Sequence, residues 1–372
     1  MNTRQAQIQN EAFRIWDKTG NGTLAMCTGS GKSRVGIMAH KKYPGRNLLL
    51  VPTEKLRDVD WRKEFEKWGE DYSSITAMCY ASAYKIKGEH YDLVIADEIH
   101  NGLSDEYRKF FKNNTYDRIL GLSATIESDR ERILDELKCP IVFQYTLTQA
   151  IEEKVVSPYQ ITLIYHTLDN KHKNIKAGSK SKGYFMQTEA KQYEFITRKI
   201  NKLRYAGMFQ QEQFAIFERM RFLYNLPSKI PITKNLIDKL KKDKKRIVLF
   251  SESTKSLDQI TRFAIHSNKK SDRNDEIYEK FNNKKISIIG AAKKIKEGAN
   301  LTEVDALIIH SYNGRLLNTV QRIGRAIRWR EGHVADIYVI VTLNTQEESW
   351  MDNLTNEGLD LREPVVVRSK DL

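Results

Sequence analysis

The sequence predicts an α/β protein of two lobes, each built around a mostly parallel β-sheet. The chain has 372 residues, which is more than one ordinary hydrophobic core accommodates. Short apolar runs alternate with amphipathic stretches, a pattern typical of parallel strands joined by crossover helices. Because this alternation occurs twice, we expect lobes at residues 1–148 and 149–372, with a basic helical insertion in the second lobe at about 168–243.

Six apolar runs, each bounded by turn or polar residues, predict the strands of the first lobe. They are GTLAMC, NLLLVP, SSITAMCY, YDLVIAD, RILGLS and IVFQY, and the helical stretches KSRVGIMAHKKY and EKLRDVDWRKEFEKW lie between them. Each run has the length of a strand buried on both faces. The first lobe should therefore be a doubly wound sheet with helices on both sides.

The second lobe repeats this alternation after an interruption. Its predicted strands are YQITLIYHTL, RIVLFSES, KISIIGAA, VDALIIHS and DIYVIVTL, and LLNTVQRIGRAIRWR is a predicted helix among them. The segment KNIKAGSKSKG, rich in Lys, Gly and Ser, predicts a mobile surface loop. Long helical patterns follow it from Thr188 to Lys242 and form most of the expected insertion.

The charge balance is strongly basic. Lys and Arg number 62 against 48 Asp and Glu, which gives a formal charge of +14. Such an excess favours a polyanionic partner such as nucleic acid, although solvated lysines alone would also produce it. The three cysteines are far apart, so neither a disulfide framework nor a zinc site is indicated. No long apolar run or secretion signal is present, and we expect a cytoplasmic protein without a membrane role.

The octamer MCTGSGKS, Met26 to Ser33, predicts a phosphate-binding loop between a strand and a helix. Gly29 and Gly31 would let backbone N–H groups approach phosphate oxygens, and the helix start contributes a partial positive charge. Lys32 can reach the β and γ phosphates, and the Ser33 hydroxyl can bind Mg2+. An ordinary glycine turn remains the alternative for this segment alone.

The heptapeptide VIADEIH supplies a second piece of the same site. Its apolar strand ends in Asp97 and Glu98, and in an open parallel sheet ligands bind at the carboxyl ends of strands. Asp97 is suited to hold Mg2+ through water, and Glu98 to orient and deprotonate an attacking water. An acidic strand end that caps the next helix is the alternative, but the two motifs together, in this order, favour a nucleotide site.

These motifs resemble those of superfamily 2 helicases and translocases. MCTGSGKS is similar to the family's A-x-T-G-x-G-K-[ST] loop, DEIH to the D-E-x-H box, GLSAT to the S-A-T motif, and QRIGRAIR to Q-R-x-G-R-x-x-R. LLLVPTEKL, IVLFSES and KEGANLTEVDALII resemble further motifs, so the resemblance spans about residues 4 to 345 in the family's order. Met26 in place of a small residue and Ser33 in place of threonine are the departures.

The resemblance implies two RecA-like lobes that close on ATP and Mg2+. It assigns catalytic roles to Lys32, Asp97, Glu98, Gln321, Arg325 and Arg328, and Mg2+ binding to Ser33 and Asp97, largely through water. Nucleotide contacts are implied for Arg4, Gln7, Thr28, Gly29, Ser30, Gly31, Lys32, Ser33 and Gly298. An arginine opposite the γ phosphate stabilises transition-state charge. The adenine element, Arg4 with Gln7, has a polar helix start as its alternative.

The resemblance also implies a nucleic-acid track across both lobes. Its predicted contacts are Pro52, Thr53, Tyr80, Ser82, Ser251, Ser253 and Asn300, while His100, Ser123 and Thr125 are expected to couple the track to ATP. For Ser123 and Thr125 the alternative is a small-residue turn with a helix cap. The lysines and aromatics of the insertion fit either a basic arm that reaches the substrate or a packed helical insert with solvated lysines.

Within the superfamily, QRIGRAIR, LSAT and EKVVSPYQI resemble compact phage recombination helicases of the UvsW type and the RecG and XPB-like branch. This resemblance implies an ATP-dependent helicase or translocase that acts on DNA at forks or recombination intermediates, in a bacterial cytoplasm. An RNA helicase of DExH type, or a motor subunit of a restriction or replication complex, is the alternative. We expect a monomer, with replication or recombination proteins as candidate partners.

Overall fold

The computed structural model describes residues 3–27, 29–124, 126, 128–179, 183–292, 301, 303–313, 334–356 and 365–371. The described residues up to Ser157 form one compact unit, and those from Pro158 onward form another. The sequence places this boundary at 148. The structure divides later because Val155 and Val156 pack into the hydrophobic core of the first unit.

The first unit contains a six-stranded sheet in which all neighbours run parallel. Its strands are β1 (Asn21–Met26), β2 (Asn47–Val51), β3 (Thr76–Cys79), β4 (His90–Asp97), β5 (Thr115–Ser123) and β6 (Ile141–Tyr145), in the order β3-β2-β4-β5-β1-β6. All six predicted strands are present. Strands β1 and β4 are both paired to β5, so their carboxyl ends meet at the same edge of the sheet.

Helices cover both faces of this sheet. They are α1 (Thr3–Thr19), α2 (Lys32–Lys42), α3 (Trp61–Lys67), α4 (Tyr80–Ala83), α5 (Lys109–Asn113), α6 (Ser128–Glu136) and α7 (Leu147–Glu152). A π-helical turn, Leu56–Asp60, precedes α3, and 3-10 turns occupy Tyr72–Ser74 and Ile99–Leu103. Two hydrophobic clusters, one against each face, share the apolar strand residues alternately: Leu49 belongs to one and Leu48 to the other. This explains why the strands are continuous apolar runs.

The second unit contains a seven-stranded sheet, also with parallel neighbours. Its strands are β7 (Tyr159–His166), β10 (Ile247–Ser251), β11 (Ala264–Ile265), β12 (Ile288–Ala292), β13 (Ala306–Ile309), β14 (Ala335–Thr342) and β15 (Val365–Arg368), in the order β11-β12-β10-β13-β14-β7-β15. The five predicted strands are present, and β11 and β15 are short additions at the two edges. Together the two sheets confirm the predicted α/β class.

The helices of the second unit include those of the predicted insertion. They are α8 (Glu189–Tyr205), α9 (Phe209–Tyr224), α10 (Lys229–Lys242), α11 (Thr254–Ile260), α12 (Ser271–Asn282) and α13 (Gln346–Asn356), and a 3-10 turn occupies Ser369–Asp371. Thr188 caps α8 by accepting a hydrogen bond from the Lys191 N–H. The predicted helix LLNTVQRIGRAIRWR lies outside the described residues.

The prediction of a mobile loop at KNIKAGSKSKG is wrong. Strands β8 (Ile175–Ser179) and β9 (Gly183–Gln187) pair there as an antiparallel hairpin. Composition favoured a loop, but pairing from Ile175 with Gln187 through Ser179 with Gly183 satisfies the backbone groups that face each other across the two segments. Among the described residues, no helix is both long and apolar enough to cross a membrane.

Candidate nucleotide site

The phosphate-binding loop predicted from the sequence connects β1 to α2, and its glycines have the conformation that this turn requires. Gly29 and Gly31 have φ values of 92° and 85°, in the left-handed region that side chains rarely adopt. A Cβ on Gly31 would lie 2.1 Å from the Gln9 side-chain nitrogen, so the space there is also closed to other residues. Thr28 lies outside the described residues.

Two glutamines of α1 hold this loop, and sequence reasoning missed both. The Gln9 side chain, 2% exposed, donates to the Ser30 carbonyl at 2.8 Å, and Gln5 donates to the Gly29 carbonyl at 2.9 Å. In a trans peptide the carbonyl and the following N–H point in opposite directions. Holding the Ser30 carbonyl toward α1 therefore aims the Gly31 N–H away from α1, as a phosphate-binding loop needs. The i, i+4 spacing of Gln5 and Gln9 on one helix face was the available signal.

The α1 contacts extend to the helix that follows the loop. Arg34 donates to Gln9 Oε1 at 2.7 Å, and its guanidinium stands 4.6 Å from the centre of the Trp68 ring. The Ser30 hydroxyl donates to the Cys27 carbonyl at 2.7 Å. Burial raises the pKa of the Cys27 thiol to about 11, so this thiol stays protonated at neutral pH. Cys27 is thus a packed residue and not a nucleophile.

The structure brings Lys32 and Glu98 together. Lys32 opens α2 beyond β1 and Glu98 follows β4, and Lys32 Nζ lies 3.7 Å from Glu98 Oε1. Both residues are less than a tenth exposed, so each charge is compensated mainly by the other and by its neighbours. Glu98 has φ 47° and ψ 53°, a left-handed conformation that costs a non-glycine residue about 1 kcal/mol or more. Such strain, at a strand end beside a buried lysine, is typical of a functional site.

Asp97, the neighbour of Glu98, is held by a tryptophan. It is 6% exposed, and its Oδ2 accepts a hydrogen bond from Trp61 Nε1 at 2.8 Å. Its Oδ1 accepts from the Glu98 N–H at 3.1 Å. Trp61 begins α3 directly after the π-helical turn and was not predicted to belong to the site. A hydrogen bond between buried partners fixes the orientation of this carboxylate.

The predicted coupling residues extend the same cluster. His100 Nδ1 lies 2.9 Å from Ser123 Oγ, at the end of β5, and 3.5 Å from Glu98 Oε2. Lys32, Glu98, His100 and Ser123 therefore form one chain of polar contacts along the carboxyl edge of the sheet. The third predicted coupling residue, Thr125, lies outside the described residues.

The two residues of the predicted adenine element, Arg4 and Gln7, contact each other near the start of α1. Arg4 pairs with Glu153 at 2.5 Å, and Glu153 also accepts from the Tyr145 hydroxyl at 2.9 Å. Gln7 is exposed, and Arg4 donates to its side-chain oxygen at 3.4 Å. The glutamines that touch the loop are Gln5 and Gln9, on either side of Gln7.

The predicted nucleic-acid contacts fall into three groups. Pro52, Thr53 and Ser82 are partly or fully exposed, and Thr53 Oγ1 accepts from the Leu56 N–H at 3.4 Å. Tyr80 is 1% exposed and donates to the Asp97 carbonyl, and its apolar ring packs in the core, so its predicted nucleic-acid contact stays a prediction. Asn300 lies outside the described residues.

The serines of the second unit serve local structure. The Ser251 hydroxyl, fully buried, donates to the Ser253 carbonyl, and Ser253 caps α11 by accepting from the Ser256 N–H at 3.1 Å. Four more predicted site residues, Gly298, Gln321, Arg325 and Arg328, lie outside the described residues.

Two protein families match the chain. The helicase conserved C-terminal domain matches residues 228–330, and the res subunit of type III restriction enzymes matches residues 1–128. Together these ranges take in more than half of the chain. The chain belongs to superfamily 2 of helicases and translocases and is an ATP-hydrolysing enzyme. Membership implies ATP, a divalent metal ion and nucleic acid as ligands in general terms.

One curated relative and two solved structures are similar to the chain. The DNA 3'-5' translocase XPB2 of Sulfurisphaera tokodaii is 25% identical over 363 residues, covering 91% of this chain and 82% of the relative. The Pyrococcus furiosus Hef helicase domain has a TM-score of 0.54 at 12% identity, covering 95% of this chain and 97% of that one. A Dbp5 variant of S. cerevisiae bound to RNA and ADP BeF3 has a TM-score of 0.61 at 12% identity, covering 98% and 90%.

These comparisons confirm two predictions and leave a third open. The superfamily and the fold of two RecA-like lobes are confirmed. The finer resemblance to the UvsW type of phage helicase is not matched by any of these relatives and stays a prediction.

Proposed function

We propose that the protein is an ATP-dependent DNA translocase or helicase that remodels forks or recombination intermediates. The observation that carries this proposal is the buried contact of Lys32 with Glu98, at the edge where β1 and β4 both end. A lysine and a catalytic carboxylate at this edge fit a triphosphate and its attacking water.

The donor groups of the first unit fit ATP with Mg2+. Gly29, Gly31, Lys32 and Ser33 offer backbone N–H groups at the start of α2, and the Lys32 ammonium supplies the positive charge for the phosphates. The Ser33 hydroxyl and the Asp97 carboxylate are hard oxygen ligands of the kind that Mg2+ prefers, held largely through water. When bound, Mg2+ would neutralise charge that develops on the phosphate oxygens. Trp61 keeps Asp97 in one orientation for this purpose.

Glu98 is the proposed general base. Its carboxylate lies close to Lys32, which favours the ionised form that can accept a proton from water. His100 lies within 3.5 Å of this carboxylate and within 2.9 Å of Ser123, so a shift of Ser123 would move His100 and change its contact with Glu98. This contact chain is the proposed coupling route between hydrolysis and movement of nucleic acid.

On this proposal, the second half of the chain supplies the remaining residues that ATP hydrolysis needs. Gln321, Arg325 and Arg328 match the family motif residue by residue, and the Arg325 guanidinium is proposed to stabilise charge on the γ phosphate. Hydrolysis that requires residues from both halves would depend on closure of the lobes. Such dependence is how a two-lobe ATPase steps along a strand.

DNA is the proposed track in preference to RNA. The formal charge of +14 supports a nucleic-acid partner, and the 25% identical relative is described as a DNA translocase. The match to a restriction-enzyme subunit keeps a motor subunit of a larger complex as the second candidate, one that hydrolyses ATP but needs a partner protein to separate strands.

Steady-state ATP hydrolysis with a matched panel of DNA and RNA forks, junctions and single strands tests the proposal. We expect stimulation by DNA in excess of RNA, and loss of hydrolysis with retained nucleotide binding in a Glu98→Gln control. Stronger stimulation by RNA would make RNA the track in place of DNA. No stimulation by any nucleic acid would refute the proposal that the protein is a nucleic-acid motor. A strand-displacement assay on the lone chain separates the helicase from the motor subunit.

A further inference from the structure

The exposed aromatic residues of the described chain are concentrated in one place. We call residues 175–224 the arm: the β8–β9 hairpin with helices α8 and α9. Among the residues that the structure describes, every exposed Phe or Tyr lies in the arm. They are Tyr184, Phe185, Phe195, Tyr205, Phe209, Phe214 and Phe217. Aromatic rings are usually buried, so their collection on one surface indicates a binding role.

The arm is an ordered platform for these rings. Helices α8 and α9 pack together through a small core of Ile196, Ile200 and Ala215. The base of α8 is fixed because the buried Glu189 carboxylate accepts hydrogen bonds from the Asp169 N–H and from the N–H and hydroxyl of Ser228. The exposed rings therefore stand on a rigid support and are not needed for its core.

The charge of the arm is positive. Residues 175–224 contain ten Lys and Arg but only four Asp and Glu. Apart from Glu189, the carboxylates are already paired within the arm. The pairs are Glu194 with Arg198, Glu218 with Lys199 and Glu212 with Arg204.

The remaining lysines are interspersed with the rings. Lys176 Nζ stands 4.0 Å from the centre of the Tyr184 ring. Lys191 and Lys202 are exposed on α8, on either side of Phe195 in the sequence, and no carboxylate of the described residues pairs with them. The arm therefore offers cations and aromatic faces together, with no free carboxylate for a basic partner.

We propose that the arm binds single-stranded nucleic acid, with bases stacked on its aromatic rings and phosphates held by Lys191 and Lys202. Unpaired bases have open faces that stack on rings of any sequence context, and the phosphate backbone matches the positive charge. A second copy of the chain would bring the same positive charge and be repelled. The inference rests on the proposed function only in taking nucleic acid as the partner.

Replacement of two rings by leucine tests the stacking. Phe214 and Phe217 are 71% and 52% exposed, so Phe214→Leu with Phe217→Leu keeps an apolar surface and the fold while removing the aromatic faces. Binding is measured by fluorescence anisotropy, without ATP, on a labelled oligo(dT) and on an abasic strand of equal length. We expect the double variant to bind oligo(dT) about tenfold or more weakly than wild type, and the abasic strand equally.

The lysines are tested by salt dependence. Lys191→Ala and Lys202→Ala should each reduce the slope of log affinity against log salt by about 0.7, the value for one phosphate of a single strand. Lys112→Ala is the matched control, because this exposed lysine lies on α5, just before β5 begins and so at the opposite edge of the sheet from the site. Its slope should equal that of wild type.

Each outcome decides the assignment. Unchanged oligo(dT) binding by the leucine variant overturns stacking and makes the arm an apolar surface for a protein partner. An equal loss on the abasic strand overturns stacking too, because the lost contact would not involve bases. Unchanged salt slopes for Lys191→Ala and Lys202→Ala overturn the phosphate contacts. If the wild type binds no nucleic acid at all, the proposed function fails as well. If the wild type shows DNA-stimulated ATP hydrolysis and the arm variants bind nucleic acid as the wild type does, only the assignment of the arm is refuted.

Discussion

Replacement of Lys229 by methionine should strongly destabilise the second unit. Lys229 Nζ lies 2.6 and 2.7 Å from the two carboxylate oxygens of Glu347, and neither side chain is exposed to solvent at all. Burial lowers the pKa of Lys229, an effect that Glu347 opposes. Lys229→Met keeps the unbranched apolar stem of the side chain, one atom shorter, but leaves the Glu347 carboxylate buried without a cation.

The expected loss follows from what remains around Glu347. In the described residues its Oε2 also accepts the Thr342 N–H at 3.0 Å, a contact too weak to replace a cation. Leaving one member of a buried ion pair uncompensated costs about 3–5 kcal/mol. Because domains are stable by about 5–15 kcal/mol, this is a large share of the total. Adding Glu347→Met should restore much of the loss, reduced by the Thr342 N–H that then lacks its acceptor.

Urea unfolding, monitored by near-ultraviolet circular dichroism, and thermal unfolding, monitored by calorimetry, measure these differences in stability. The two units can unfold separately, so calorimetry assigns the shifted transition. Lys234→Met is the matched control, since Lys234 is exposed on the same helix and should change stability by less than about 0.5 kcal/mol. A loss below about 1 kcal/mol for Lys229→Met would show that water reaches the pair and would refute the reasoning.

Three further outcomes are expected. Burial and the nearby Lys229 charge lower the pKa of His166 to about 3, below its usual 6.5. The stability that this shift contributes above pH 6.5 should therefore fall as the pH drops toward 3, by about 2 kcal/mol at pH 5. Urea unfolding at several pH values should show a shallower dependence of stability on pH in His166→Gln, and an equal dependence would contradict this. Trp61→Phe should destabilise the first unit by about 1.5–3 kcal/mol, because Asp97 loses a buried hydrogen-bond donor. It should also raise the Mg2+ concentration needed for half-maximal ATP hydrolysis, and an unchanged Mg2+ requirement would argue against the orienting role of Trp61. Arg325→Ala should lower ATP turnover by about 10^3 or more in single-turnover measurements, and near-normal turnover would assign the stabilising charge to another residue.

The sequence by itself determined the two α/β lobes and the centre of the nucleotide site. Both depend on local information: strands buried on two faces must be continuous apolar runs, and a phosphate loop needs glycines and a lysine at fixed spacing. Because parallel strands place their carboxyl ends at one edge, Lys32 and Glu98 could be expected to meet, and they do.

Only the tertiary structure decided which distant side chains support that centre and which ion pair stabilises the second unit. The contacts of Gln9 with the loop, of Trp61 with Asp97 and of Lys229 with Glu347 join residues 21, 36 and 118 positions apart. No local pattern encodes such pairings, because they depend on how packed helices and strands are placed against one another. The same placement put the Tyr80 ring in the core, where its apolar area is shielded from water, which the motif by itself did not indicate.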